Sequence, residues 1–153
     1  MELDRSSSGI YLNQRKYTLD LVKDVGLLAS HSSVVPMEQN HQLLASNDYA
    51  VILDVCQYRR IVGRLIYLTI SSPDISYAVH VLAQFMAAPK ACHLQAVFKF
   101  LRYIKGTCGQ GLFLSASFNL QLTAFCDADW GGCKFTRRSV TSICVTLGAS
   151  LIS

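Results

Sequence analysis

The order of apolar and polar positions changes period along the chain and marks out its elements. Gly9 to Asn13 alternates and predicts a short strand. Arg15 to Val25 then sets Tyr17, Leu21 and Val25 four apart, the spacing of one helix face, and Gly26 is a natural C-terminal stop. Ser30 to Tyr49 is polar, holds Pro36, and reads as a long loop. From Asp54 to about Ile70 the residues Val55, Tyr58, Ile61, Val62, Leu65 and Leu68 recur at three and four, which predicts an amphipathic helix. Ser72, Pro73 and Asp74 supply an N-cap, a proline at the first helical position and an acid in the first turn. The helix they start carries Ile75, Val79, Leu82 and Met86 and ends before Pro89. A further helix, from about Cys92 to Lys105, carries Leu94, Val97, Phe98, Leu101 and Ile104 and stops on Lys105 and Gly106. Short links between these helices predict a packed bundle. Beyond Gly111 the period becomes two, so that Leu112 to Leu114, Leu120 to Asp127 and Ser142 to Leu147 read as strands. Helices followed by consecutive strands make an α+β fold or the junction of two domains.

Composition adds a constraint. The apolar share is 51% and the mean hydropathy +0.30, high for 153 residues, so some apolar surface is expected to meet a neighbour. The longest apolar stretch, near Ile61 to Ile70, is split by Gly63 and Arg64 and falls short of the roughly 20 residues of a membrane span. No membrane partner is expected. The opening MELDRSSSG has two acids and no apolar run, so no secretory signal is read and an intracellular location is the expectation. Cys56, Cys92, Cys108, Cys126, Cys133 and Cys144 are scattered among apolar residues without a C-x-x-C pair, which predicts reduced thiols in the core.

The net charge of +4 is unevenly spread: residues 1–53 carry −2, residues 54–106 carry +5 and residues 107–153 carry +1. The excess falls on the helical stretch, where a nucleic-acid backbone is the natural partner and a solvated helix face the plain alternative. Arg60 and Arg64 stand four apart with Arg59 beside them, and Lys99, Arg102 and Lys105 follow at spacings of three, so each series makes a cationic stripe. Such stripes neutralise phosphates without reading bases. Tyr58, Tyr67, Tyr77 and Tyr103 are candidates for stacking on bases or sugars, or else core residues. Arg137 and Arg138, between two predicted strands, are further candidates for backbone contact. His31, His41, His80 and His93 show no zinc-site spacing and are read as non-ligands.

The one acidic constellation is Phe125-Cys126-Asp127-Ala128-Asp129-Trp130-Gly131, in which a strand delivers Asp127 at or near its end with Asp129 on the same face. Hard divalent ions take oxygen ligands, so Asp127 is a candidate Mg²⁺ ligand for phosphoryl-transfer chemistry, against the ordinary alternative of a solvated turn. No Asp or Glu follows Asp129, and no adjacent aspartate pair of the polymerase type occurs anywhere. Neither a nuclease nor a polymerase site is complete.

The stretches YRRIVGRLIYLTISSPDISYAVHVLAQFM (Tyr58 to Met86), LRYIKGTCGQGL (Leu101 to Leu112) and CDADWGGCKFTRRS (Cys126 to Ser139) together resemble copia-type retrotransposon Pol. GIYLNQRKYTLDLVKDVGLL (Gly9 to Leu28) and PMEQNHQL (Pro36 to Leu43) are similar to the segment preceding them in that family. The resemblance implies that residues 1–53 are a strand, helix and linker following the polymerase palm, and that residues 54–110 are a thumb or connection-like helical segment. It implies that residues 111–153 are the first antiparallel strands of an incomplete ribonuclease H-like fold. Asp127 matches the family's first nuclease aspartate, which makes it the implied catalytic and metal residue of an incomplete site. Mg²⁺ is the implied cofactor of the parent polyprotein, with none expected on this chain alone. The implied partners are an RNA/DNA or DNA duplex backbone and the rest of Pol. Ser72, Leu94, Gln95, Lys134, Phe135, Ser142 and Ile143 depart from the family's pattern, as in a decayed element. The reading is therefore a fragment of an RNA-directed DNA polymerase and ribonuclease H, non-catalytic alone. Its rivals are a host-retained nucleic-acid-binding module and, last, a D-x-D metal-dependent transferase, for which no strand and helix alternation is seen.

Overall fold

The computed structural model describes residues 1–37, 43, 54–117, 119–131, 137 and 139–153, with the side chains of Asp129 and Val140 outside that description. Among these residues the elements run β1 (Glu2–Ser6), β2 (Gly9–Asn13), α1 (Arg15–Asp24), α2 (Val55–Leu68), a 3₁₀ turn (Pro73–Ile75), α3 (Ser76–Ala83), α4 (Ala91–Gly106), β3 (Gly111–Ser115), β4 (Leu122–Asp129), β5 (Val140–Leu147) and β6 (Ser150–Leu151). The chemistry is mixed, helices and antiparallel strands, as an α+β fold requires. Most of the polar stretch from Ser30 to Tyr49 lies outside the described residues. The chain forms two compact units: residues 13–110, and residues 2–12 with 111–153.

The helical unit is built on the apolar faces that the spacing announces. Tyr58, Ile61, Val62, Leu65 and Leu68 of α2 are buried, and they meet Leu21 and Val22 of α1, Val79 and Leu82 of α3, and Val97, Phe100, Leu101 and Ile104 of α4 in one core. Each helix end has a local cause. Asp54 accepts the amide of Gln57 at 2.8 Å and caps α2. Gly26 takes the left-handed conformation, φ 73°, while its amide donates to Lys23 and that of Leu27 to Val22. That pair of bonds is a Schellman closure, which ends α1 on a residue without a Cβ.

Two expectations are corrected here. The helix after Pro73 does not continue to Met86: it opens as a 3₁₀ turn, is α-helical only over Ser76–Ala83, and finishes in tight bonds from Phe85 to Leu82 and from Met86 to Ala83. Pro89 has no N–H to offer the Phe85 carbonyl, and the carbonyls of Met86 and Ala87 accept instead from Arg59 of α2 at 2.7 and 3.1 Å. The thiols are free among the described residues, but Cys56, Cys126 and Cys144 are exposed. They stand on a helix side and a sheet with no cover, not in the core.

The second unit holds two three-stranded sheets, ordered β1-β2-β3 and β4-β5-β6. A Cβ on Gly9 would collide with the Leu114 carbonyl and stand 2.8 Å from the Phe113 ring, so glycine allows the close approach to β3. In the other sheet β4 and β5 are antiparallel, pairing Phe125 with Cys144, Cys126 with Ile143 and Asp127 with Ser142. Ser115 of β3 donates its amide to the hydroxyl of Ser150 at 3.0 Å, joining β3 to β6. Leu122, Phe125 and Ile143 are 66%, 61% and 65% exposed. Cross-strand pairs share a face and successive residues alternate, so Leu122 and Ile143 stand on one face of the ribbon and Phe125 on the other.

Candidate nucleic-acid interface

The basic residues of the helical unit fall into two groups once their partners are known. Arg59 is bound to the chain after α3 through the carbonyls of Met86 and Ala87. Arg64 pairs with Asp24 of α1 at 2.6 Å and lies 5.3 Å from the centre of the Tyr17 ring, whose hydroxyl donates to the Arg64 carbonyl at 3.3 Å. Tyr17 also meets Tyr67 edge-on, with ring centres 5.2 Å apart. These groups clamp α1 to α2. The ion pair is largely exposed, so its net contribution is within about 1 kcal/mol. On α4, Lys105 donates to the carbonyl of Ser30, the Arg102 carbonyl accepts from Ser33, and Lys99 is engaged within the protein. All three are half-buried.

Arg60 stands apart. It is exposed and has no hydrogen-bond or ion-pair partner among the described residues. Three and seven positions further along α2, on the same outward side, come Gly63 and Tyr67, both exposed. A Cβ added at Gly63 meets nothing within 4 Å. Glycine inside a helix costs roughly 0.5–1 kcal/mol against alanine, and packing among the described residues does not call for it. The side of α2 opposite the core is thus a cation, a bare stretch of backbone and an aromatic ring. Sequence spacing found Arg60 and Tyr67 but passed over Gly63. Its signal, a glycine on the polar side of an amphipathic helix between an arginine and a tyrosine, is visible only once the buried face is assigned. Of the other tyrosines, Tyr58 is fully buried and donates to the Leu82 carbonyl at 2.7 Å, with burial pushing its phenol well above the usual range, while Tyr77 is exposed and Tyr103 half-buried.

The second unit carries Asp127 and Arg137. Asp127 is exposed near the end of β4, its Oδ1 accepting the amide of Ala128 at 3.0 Å, opposite Ser142 of β5. Arg137 is exposed and left-handed at φ 55°, beside the Gly131 turn; Arg138 lies outside the described residues. Among the described residues no group of three or more His, Cys, Asp or Glu is placed to hold a metal ion. A pair of magnesium ions needs several carboxylates from different elements, and among the described residues Asp127 has no second carboxylate grouped with it for that purpose. Among the described residues, too, no helix is long and apolar enough to cross a membrane.

No family model and no solved structure matches the chain. Over its full length it is 40% identical to the Retrovirus-related Pol polyprotein from transposon RE1 of Arabidopsis thaliana, covering 10% of that protein. It is 38% identical, again over its full length, to an uncharacterized mitochondrial protein of Arabidopsis thaliana, of which it spans 63%. Against the Pol polyprotein from transposon TNT 1-94 of Nicotiana tabacum the identity is 28% over 98% of the chain and 12% of the relative. The chain thus corresponds to a small part of the polyproteins it matches. With these likenesses running over all or nearly all of its length, the chain belongs to the copia-type retrotransposon Pol family.

Proposed function

We propose that this part of Pol holds an RNA/DNA or DNA duplex by its phosphate backbone and performs no chemistry by itself. The observation that carries the reading is the outward side of α2, where Arg60 and Tyr67 flank a glycine whose missing side chain relieves no clash. Arg60 neutralises a phosphate, Gly63 lets a sugar or phosphate come close to the helix backbone, and Tyr67 lies against the next sugar or base edge. Nothing in this arrangement reads a base, as suits a surface that follows any template. Arg102 and Lys105 of α4 add to the positive field.

The strands from Gly111 onward are read as the opening of a ribonuclease H-like fold, with Asp127 as one ligand of a magnesium site whose other carboxylates this chain lacks. The apolar side chains exposed on both faces of β4 and β5 fit packing against other parts of Pol.

The test is fluorescence anisotropy of a labelled RNA/DNA hybrid titrated with the chain at several salt concentrations. Binding is expected to weaken linearly in log[salt], and Arg60→Ala to weaken it for every sequence alike and to lower the slope by about one. No binding at low salt removes the proposal. Magnesium-dependent cleavage of the hybrid by the purified chain contradicts its non-catalytic part.

A further inference from the structure

The geometry points to a proton-operated latch on the N-terminus of α4: neutral His93 holds the Lys90 amide through Nδ1 while its Nε2–H donates to the Leu43 carbonyl, and protonation of Nδ1 releases the Lys90 amide. His93 is the third residue of α4 and is 3% exposed. Its Nδ1 lies 2.9 Å from the amide nitrogen of Lys90, and its Nε2 lies 3.0 Å from the carbonyl oxygen of Leu43. An amide N–H can only donate, so Nδ1 holds a lone pair; a carbonyl can only accept, so Nε2 carries the hydrogen. The network thereby selects one tautomer of the neutral ring. Phe85 stacks on the imidazole, ring centres 3.8 Å apart and 19° from parallel, and fixes its plane. The bond to Leu43 spans 50 positions, from a residue before α2 to the first turn of α4.

An imidazolium has two N–H groups. Protonation places a donor on Nδ1 against the donor of Lys90 and takes away the acceptor that caps the first turn of α4. Burial, which disfavours the charged ring, pulls the His93 pKa below its ordinary value of 6.5; the Leu43 carbonyl opposes this and the Lys90 ammonium adds to it. Among the described residues the neighbouring titratable groups are the Cys92 thiol, which meets the His93 backbone amide, and the Tyr58 phenol, which interacts with that thiol. Burial pushes both upward, so both are neutral where histidine titrates. The folded state accordingly binds fewer protons here than the unfolded chain. The Nδ1 bond to the Lys90 amide is complete above pH 6.5 and is lost as pH falls through the lower folded value.

The experiment is NMR on the full chain. At about pH 7.5 the imidazole ¹⁵N shifts are expected to report a protonated Nε2 and an unprotonated Nδ1. On acidification to about pH 5 the protection factor of the Lys90 amide is expected to fall about tenfold, while that of Leu101 in the middle of α4 changes little. His93→Asn keeps an acceptor near Nδ1 but cannot titrate, so its Lys90 protection is expected to stay flat between those pH values. The opposite tautomer, or wild-type Lys90 protection that does not change with pH, overturns the latch, and both readouts come from the wild-type chain.

Discussion

Phe100→Ala is expected to lower the stability of the helical unit by about 3–5 kcal/mol, the usual cost of deleting a buried aromatic ring. Phe100 is fully buried, and Leu101 and Ile104 of α4 lie in the same core as Leu65 and Leu68 of α2. Its ring also lies 6.2 Å from that of Tyr103 on the same helix. A core to which α1, α2, α3 and α4 all contribute leaves little room for the walls to collapse into the space, so the loss falls at the upper end of the range. Domains of this size are commonly stable by only about 5–15 kcal/mol, and the substitution removes a large part of that. Urea unfolding followed by helical circular dichroism checks it. A midpoint shift worth under about 1 kcal/mol would show that α4 does not pack as described.

Substitution at Gly63 is expected to move stability and binding in opposite directions. The Cβ of alanine or leucine there meets no neighbour, and either residue replaces the poorest non-proline helix former, so the helical unit gains roughly 0.5–1 kcal/mol. A leucine side chain standing between Arg60 and Tyr67 holds a duplex backbone off the helix, and affinity for the hybrid is expected to drop about tenfold, equivalent to 1.4 kcal/mol. Few mutations separate the two quantities so cleanly, because most that weaken binding also weaken folding. Thermal melts and anisotropy titrations on the same samples decide it. Raised stability with unchanged affinity would mean the glycine faces nothing.

α1, α2 and α4 lie within a residue or two of the pattern of apolar positions, since Leu21, Ile61, Leu65, Val97 and Leu101 report burial directly. β1 escaped it. Glu2 to Ser6 is exposed throughout and has no apolar alternation, so its extended form comes from pairing with β2, which a pattern of burial cannot report. Two-residue β6 is too short to show a period. α3 stops short of Met86, whose carbonyl is taken by Arg59, 27 residues before it. The cations were legible as positions and not as partners: Arg64 pairs with Asp24 across 40 residues, and Lys105 with the Ser30 carbonyl across 75. His93 looked unremarkable for the same reason, since Leu43 is 50 residues away.

The central claim is that the outward side of α2 receives the duplex, and chemical-shift mapping on the ¹⁵N-labelled chain with an RNA/DNA hybrid at low salt tests it most directly. The account predicts shifts at the amides of Arg60, Gly63 and Tyr67 that fade as salt is raised, with those of Asp127 and its β5 neighbours unmoved. Shifts confined to β4 and β5, or none along α2, would contradict it.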